Sequence, residues 1–241
     1  MSGHSRWANI KHRKEGADKK RGVAFAKISK ELIVAARLGG SDPASNARLR
    51  ISISKARAAN MPRDNIERAV KKGAGELEGT TYEEILYEVY APGGVGILVE
   101  GLTDKKSRTT PEIKSILTKY GGNLAMEGAV SRNFTRCGVI VIESQGKSED
   151  EWMEFALDAG ADDFVVQEGF FEIRVPVDRY AALQEKLSQK EASVVESGIK
   201  FVPLPGTEVE VKDADQAAKI QKFLDALEDH DDIQAVSTNW A

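Results

Sequence analysis

The sequence predicts an α+β protein: an N-terminal three-helix domain followed by two α+β, ferredoxin-like domains, one inserted in the other. Three observations predict it. Apolar residues repeat at helical spacing up to about residue 72, and beyond residue 79 the pattern changes to alternating strands and helices. Residues 138–202 read strand, helix, strand, strand, helix, strand, which is the ferredoxin-like order. A β-β-α unit before 135 and an α-β unit after 205 are each too small to close a sheet over a core, so they are expected to combine. The expected domains are 1–79, then 80–134 with 206–241 as one discontinuous domain, and 135–205 as the insertion.

Each element has its own signal. Residues 1–22 lack periodicity and are dense in charge, which suggests a basic arm. Over 24–38, Phe25, Ile28, Leu32, Ala35 and Ala36 share one helical face, with Lys27, Lys30 and Arg37 off it, and Gly39-Gly40 ends the run. Asp42-Pro43 resembles a helix start, predicting a second helix to about Asn60. Within it Arg48–Ser54 alternates and would also suit a strand, but the surrounding alanines and the span favour helix. Its apolar residues form two stripes, as a helix between two neighbours requires. Pro62 opens a third helix to about Lys72, with Ile66, Ala69 and Val70 inward and Gly73 as the cap.

Residues 73–79 read as a hinge. Strands follow at 84–90 and 95–102, joined by Pro92-Gly93-Gly94, then a helix at 110–120 stopped by Gly121-Gly122. The six elements of the expected insertion are 138–143, 148–159, 163–167, 170–175, 178–189 and 194–202. Pro203-Leu204-Pro205-Gly206 marks the return crossing. A helix at 213–228 and a strand at 233–238 complete the pattern.

Bulk composition narrows the function. With 41% hydrophobic and 30% charged residues in 241, the chain can form packed cores. No apolar run reaches 18 residues, so no membrane span is expected. Met1–Arg21 lacks the apolar region of a secretory signal, and Glu15 and Asp18 argue against a transit peptide. One cysteine, Cys137, rules out an internal disulfide framework and a cysteine-rich zinc site. A cytoplasmic location is expected.

The net charge of −4 conceals two poles. Residues 1–75 carry 18 Lys/Arg against 6 Asp/Glu, a net +12, while the remainder carries 16 against 32, a net −16. Such asymmetry fits a polyanion partner for the first part. Lys11, Arg13, Lys14, Lys19, Lys20 and Arg21 crowd the arm. Arg48 with Lys55, and Arg50 with Arg57, form two lines along the second helix. Arg63, Arg68, Lys71 and Lys72 continue the charge on the third. Cations at this density neutralise phosphates and release counterions, and arginine can grip one phosphate with two N–H groups. The bland alternative is a solvated surface paired within the helices, but only Asp64 and Glu67 are available as acids over 43–75. Trp7, between basic neighbours, either stacks on a base or pins the arm to the first helix. Nothing here specifies base-edge readout.

Other motifs reduce to structure. Pro92–Gly96 lacks a following Gly-Lys-Ser/Thr and reads as a hairpin turn. His4, His12 and His230 have no ligand spacing, so no metal or cofactor is expected. Cys137 abuts an apolar strand and reads as a buried thiol. Glu149-Asp150-Glu151 suits a helix start. Asp229, Asp231 and Asp232 read as a solvated turn. No nucleophile, base and orienting group come together, so an enzyme is not expected.

The strings GHSRWANIKHRK, DKKRG, KELIVAARLGGSDPASNARLR, ANMPRDNIERAVKKGAG, TTYEEILYEVYAPGGVGILVE and GGNL…GAVSRNF resemble the YebC/PmpR family of probable transcriptional regulatory proteins, whose mitochondrial relatives are translational activators. The resemblance is densest over 3–135. It implies a three-domain fold and a cytoplasmic, DNA-binding protein, with other members acting on ribosomes. Where the family often has Asn after Leu-Thr-Asp, this chain has Lys105, and Lys106 and Arg108 enlarge that basic patch. The expectation is a DNA-binding transcriptional regulator. The alternatives are a ribosome-associated translation factor holding RNA, and an acidic protein-interaction module to which the arm is incidental.

Overall fold

The computed structural model describes residues 21–241 apart from residue 191. Three helices come first: α1 (Arg21–Gly39), α2 (Ala47–Ala58) and α3 (Arg63–Gly73). Their shared core holds Leu32, Ile33, Ala35 and Ala36 of α1, Leu49 and Ala56 of α2, and Ile66 and Ala69 of α3, with Tyr82 packed against it. Helix α3 lies close on α1 because Gly73 has no side chain. A Cβ there would stand 2.3 Å from the Ile33 carbonyl oxygen and 2.7 Å from the Ala36 Cβ. Gly73 is therefore the last helical residue, with Ala74 as its cap, and its smallness serves packing more than termination.

Helix α2 does not begin at Asp42-Pro43. Its cap is Asn46, whose side-chain oxygen accepts from Leu49 N–H at 3.0 Å while its amide donates to the carbonyls of Ala35 and Gly40, each at 2.8 Å. Asp42 instead accepts from Ala44 N–H at 2.9 Å and closes a turn. Asn46 wins because one buried side chain satisfies the start of α2 and the end of α1 together.

A first α+β region follows: β1 (Glu83–Tyr90), β2 (Gly96–Thr103), α4 (Lys106–Tyr120), β3 (Asn123–Leu124), then, after the second region, α7 (Ala214–Glu228) and β8 (Ile233–Thr238). Its antiparallel sheet has the order β3-β1-β2-β8. Ala91 and Gly94 close the β1–β2 hairpin, with Gly93 and Gly94 at φ 86° and 81°. One sheet face meets α4 and α7 in a core containing Val89, Val99, Ile113, Leu117, Ile220, Phe223, Leu227 and Trp240. Helix α4 starts four residues before the predicted position, which puts Pro111 in its second turn. There it gives up one backbone bond.

The second region holds β4 (Phe134–Glu143), α5 (Glu149–Asp158), β5 (Asp163–Gln167), β6 (Phe170–Val175), α6 (Tyr180–Ser188) and β7 (Val194–Pro203). Its sheet order, β5-β6-β4-β7 and antiparallel throughout, is that of a ferredoxin-like unit. Ser148 caps α5 through Glu151 N–H, placing three acids in its first turn. Cys137 is buried on β4. Two compact units result: Phe134–Leu204, and the chain up to Asn133 together with Pro205–Ala241. Among the described residues no helix is long and apolar enough to cross a membrane.

Candidate nucleic-acid interface

The cations of the helical bundle separate into two sets. Facing solvent are Arg50 and Arg57 on α2 and Arg63, Arg68, Lys71 and Lys72 on α3. Helix α3 buries Ile66 and Ala69, so Arg68 and Lys71, two residues further on from each, project from its other side. Arg63 pairs with Glu67 at 2.7 Å, and Arg50 donates to the Pro43 carbonyl at 2.7 Å. No ion pair engages Arg57, Arg68, Lys71 or Lys72 among the described residues.

The second set turns toward the protein's own acids, against the sequence-based expectation. Arg48 bridges two carboxylates, Glu31 on α1 and Glu84 on β1, at 2.7 Å each. Its guanidinium loses hydration on burial, yet the two carboxylates hold its pKa above the ordinary arginine value. Lys55, which keeps part of its side chain in solvent, lies one helical line along. Desolvation lowers its pKa from the usual lysine value, with Glu31 and Glu100 partly offsetting the effect. The periodicity of α2 correctly groups Arg48 with Lys55, but that line faces Glu31, Glu84 and Glu100. Only the Arg50 and Arg57 line is clear of them.

Three further cations of α1 reach the first α+β region. Lys27 donates to the Glu228 carbonyl at 2.6 Å. Lys30 donates to the Asp231 carbonyl at 3.0 Å and to the Asp232 carboxylate at 2.6 Å. Arg37 donates to the Tyr82 carbonyl. Asp232 is not part of a solvated turn: its side chain is 3% exposed. Its second oxygen accepts from Thr109 at 2.6 Å and from Arg108 at 2.7 Å. Burial by itself would raise the pKa of this carboxyl. The bonds from Lys30, Thr109 and Arg108 overcome that and hold it well below the carboxylate range.

The Lys105–Arg108 patch is correspondingly reduced. Arg108 is committed to Asp104 and Asp232, and Lys106 stands 3.5 Å from Glu83, leaving Lys105 exposed. Trp7, Lys11, Arg13, Lys14, Lys19 and Lys20 lie outside the described residues, and Arg21 is described only as the first residue of α1.

Sequence reasoning also missed Glu88, a buried carboxylate on β1. It accepts from the N–H groups of Gly128, Val130 and Ser131 and from the Ser131 hydroxyl, at 2.6 to 2.9 Å. Burial raises its pKa and these four bonds lower it further, for a net depression. The alternation of β1 could have flagged an acid at a position shared with partly buried Tyr90, but the partners lie 40 residues away. Among the described residues no group of three His, Cys, Asp or Glu side chains is placed to hold a metal ion.

Comparison with known proteins agrees across the chain. Residues 5–76 match the family model described as the TACO1/YebC protein N-terminal domain, and residues 82–240 match the TACO1/YebC second and third domain. A Leptospira biflexa protein named "Probable transcriptional regulatory protein" is 53% identical over 100% of this chain and 96% of its own length. A Treponema denticola protein of the same name is 50% identical over 99% and 96%. The crystal structure of a conserved hypothetical protein from Aquifex aeolicus superposes with a TM-score of 0.88 at 43% identity, covering 98% of this chain and 97% of that one. The chain belongs to the TACO1/YebC family.

Proposed function

We propose that this chain is a regulator of gene expression that grips the phosphates of DNA through its basic N-terminal helical bundle. The observation that carries the reading is the exposed set Arg57, Arg68, Lys71 and Lys72, which has no ion pair among the described residues, flanked by Arg50 and Arg63 on a bundle whose sequence is cation-rich. Solvated lysine and arginine not held in ion pairs remain available to phosphate. The relatives' names, which describe transcriptional regulatory proteins, support the regulatory part of the reading. In the sequence, Lys11, Arg13, Lys14, Lys19 and Lys20 add further cations just before α1. The acidic remainder of the chain repels the polyanion and so orients the bundle toward it.

Two measurements test this. In a titration of a labelled duplex, log K against log salt should fall with a slope of roughly −5 if about six phosphates are neutralised. A slope near zero would refute phosphate gripping. Crosslinking in cells followed by sequencing identifies the polyanion: enriched promoter DNA supports the reading, and ribosomal RNA transfers the same footprint to a translation factor.

A further inference from the structure

Among the described residues, the side-chain hydrogen bonds and ion pairs named above between the helical bundle and the first α+β region share one polarity. Lys27, Lys30, Arg37 and Arg48 supply the donors, and the Glu228, Asp231 and Tyr82 carbonyls with the Asp232 and Glu84 carboxylates supply the acceptors. Lys55 faces Glu100 in the same sense. The bundle therefore presents cations to the first α+β region as it does to solvent, and that region presents acceptors.

We infer that this joint is an electrostatic clasp which nucleic acid opens, because phosphates compete with Glu84, Glu100 and Asp232 for Arg48, Lys55 and Lys30. The inference rests on the proposed phosphate-gripping function and adds its regulation. Three features support it. First, the acceptor side survives separation: Asp232 keeps Arg108 and Thr109 after Lys30 leaves, so no carboxylate is stranded. Second, the clasp is reachable. The Arg48 side chain is 36% exposed and that of Glu84 58%, so solvent and salt weaken their attraction. Third, little apolar glue lies beside it among the described residues. Leu86 pairs across the sheet with Glu100 and stays 47% exposed. Tyr82 does pack on the bundle core, but it adjoins the connecting segment, where Gly75 has a φ of 80°. It can act as the pivot while the Arg48 side swings. A polar joint of this kind permits relative motion of its two sides. Closed, the protein hides part of its cationic surface. Open, Arg48 and Lys55 lose Glu84 and Glu100 and keep only Glu31 of their own bundle, so their line joins the Arg50 and Arg57 line and enlarges the footprint.

The test uses the full chain with Cys137→Ala and spin labels at Ser54→Cys on α2 and Lys114→Cys on α4, both exposed positions. Distances are measured without and with a saturating 20-base-pair duplex or RNA hairpin, with saturation checked by anisotropy. The labels should move apart on loading. In parallel, Glu84→Gln with Glu100→Gln should tighten binding about tenfold more than Glu76→Gln with Glu78→Gln, which removes equal charge from the connecting segment. A distance that stays fixed at saturation, or a double variant no tighter than its control, overturns the clasp and leaves phosphate gripping intact. Failure of the unmodified chain to bind either polyanion at low salt overturns phosphate gripping, and the clasp with it.

Discussion

Lys30 and Asp232, 202 residues apart in the chain, meet at 2.6 Å with side chains 15% and 3% exposed. The pair fastens the first helix to the start of the last strand, and the carboxylate simultaneously accepts from Arg108 and Thr109. A buried carboxylate with this many donors is expensive to neutralise, because each donor loses its charged partner.

Asp232→Asn should therefore destabilise the protein by about 2–3 kcal/mol, somewhat below the range for breaking a fully buried pair because Arg108 is partly solvated. Urea unfolding of the variant beside the parent measures it. A loss below about 0.5 kcal/mol would mean that the network contributes no net stability.

Acid should act through the same group. The folded-state pKa of Asp232 lies below its unfolded value of about 4, and so does that of Glu88. Their contribution is complete above that pH and is lost as the pH falls toward the folded-state values. Stability of the parent should decline steeply below about pH 4, and Asp232→Asn should show a shallower decline over the same window. Parallel profiles would count against the assignment.

Glu88→Gln places an amide where one oxygen now faces two donors. Either Gly128 N–H and the Ser131 hydroxyl, or Val130 and Ser131 N–H, lose their acceptor. A cost of about 1–3 kcal/mol is expected. Hydrogen exchange at those three amides should accelerate more than at the β1–β2 ladder, and uniform acceleration would argue for global loosening instead.

Gly73→Ala sets two effects against each other. Helix propensity favours alanine by about 1 kcal/mol. The added Cβ, at 2.3 Å from the Ile33 carbonyl oxygen, cannot be accommodated without moving α3 off α1, at a cost of about 1–3 kcal/mol. Because the obstacle is backbone, the clash should win and the melting temperature should fall. A rise would show that the helices can separate freely.

Reversing the cations that have no ion pair among the described residues separates binding from stability. Arg57→Glu with Arg68→Glu and Lys71→Glu should lower duplex affinity by at least about tenfold and flatten the salt slope by about 0.9 for each phosphate no longer neutralised. Stability should change by less than about 0.5 kcal/mol per site, as at ordinary surface positions. Arg48→Glu should do the opposite in stability, since it sets a third acid beside Glu31 and Glu84.

Periodicity made most elements legible, and the strands at 163–167, 170–175 and 233–238 fall where alternation puts them. The start of α2 was misplaced because Asp42-Pro43 is the better local signal, whereas Asn46 gains from Ala35 and Gly40. Strand β3, two residues long, is too short to leave a pattern. For the candidate interface, spacing shows which cations share a line but not what the line faces. Arg50 and Arg57 were legible as one line, and the fold leaves that line exposed. The surroundings of Arg48, Lys55 and Asp232 were not, because their partners come from α1, β1, β2 and α4, and only folding brings these together.

The pairing of β2 with β8 has a temporal consequence. Residues 83–133 emerge first, yet Ile97, Val99 and Ile113 are covered by Phe223 and Leu227 of α7, and β2 gains its second neighbour from residues 233–238. Until that stretch has been made, the region carries an open strand edge and half a core, a state that invites misassociation. Its socket for Lys30 is also absent until then, since Asp232 arrives with the same stretch. The helical bundle, built from near neighbours in the chain, can form well before its dock exists.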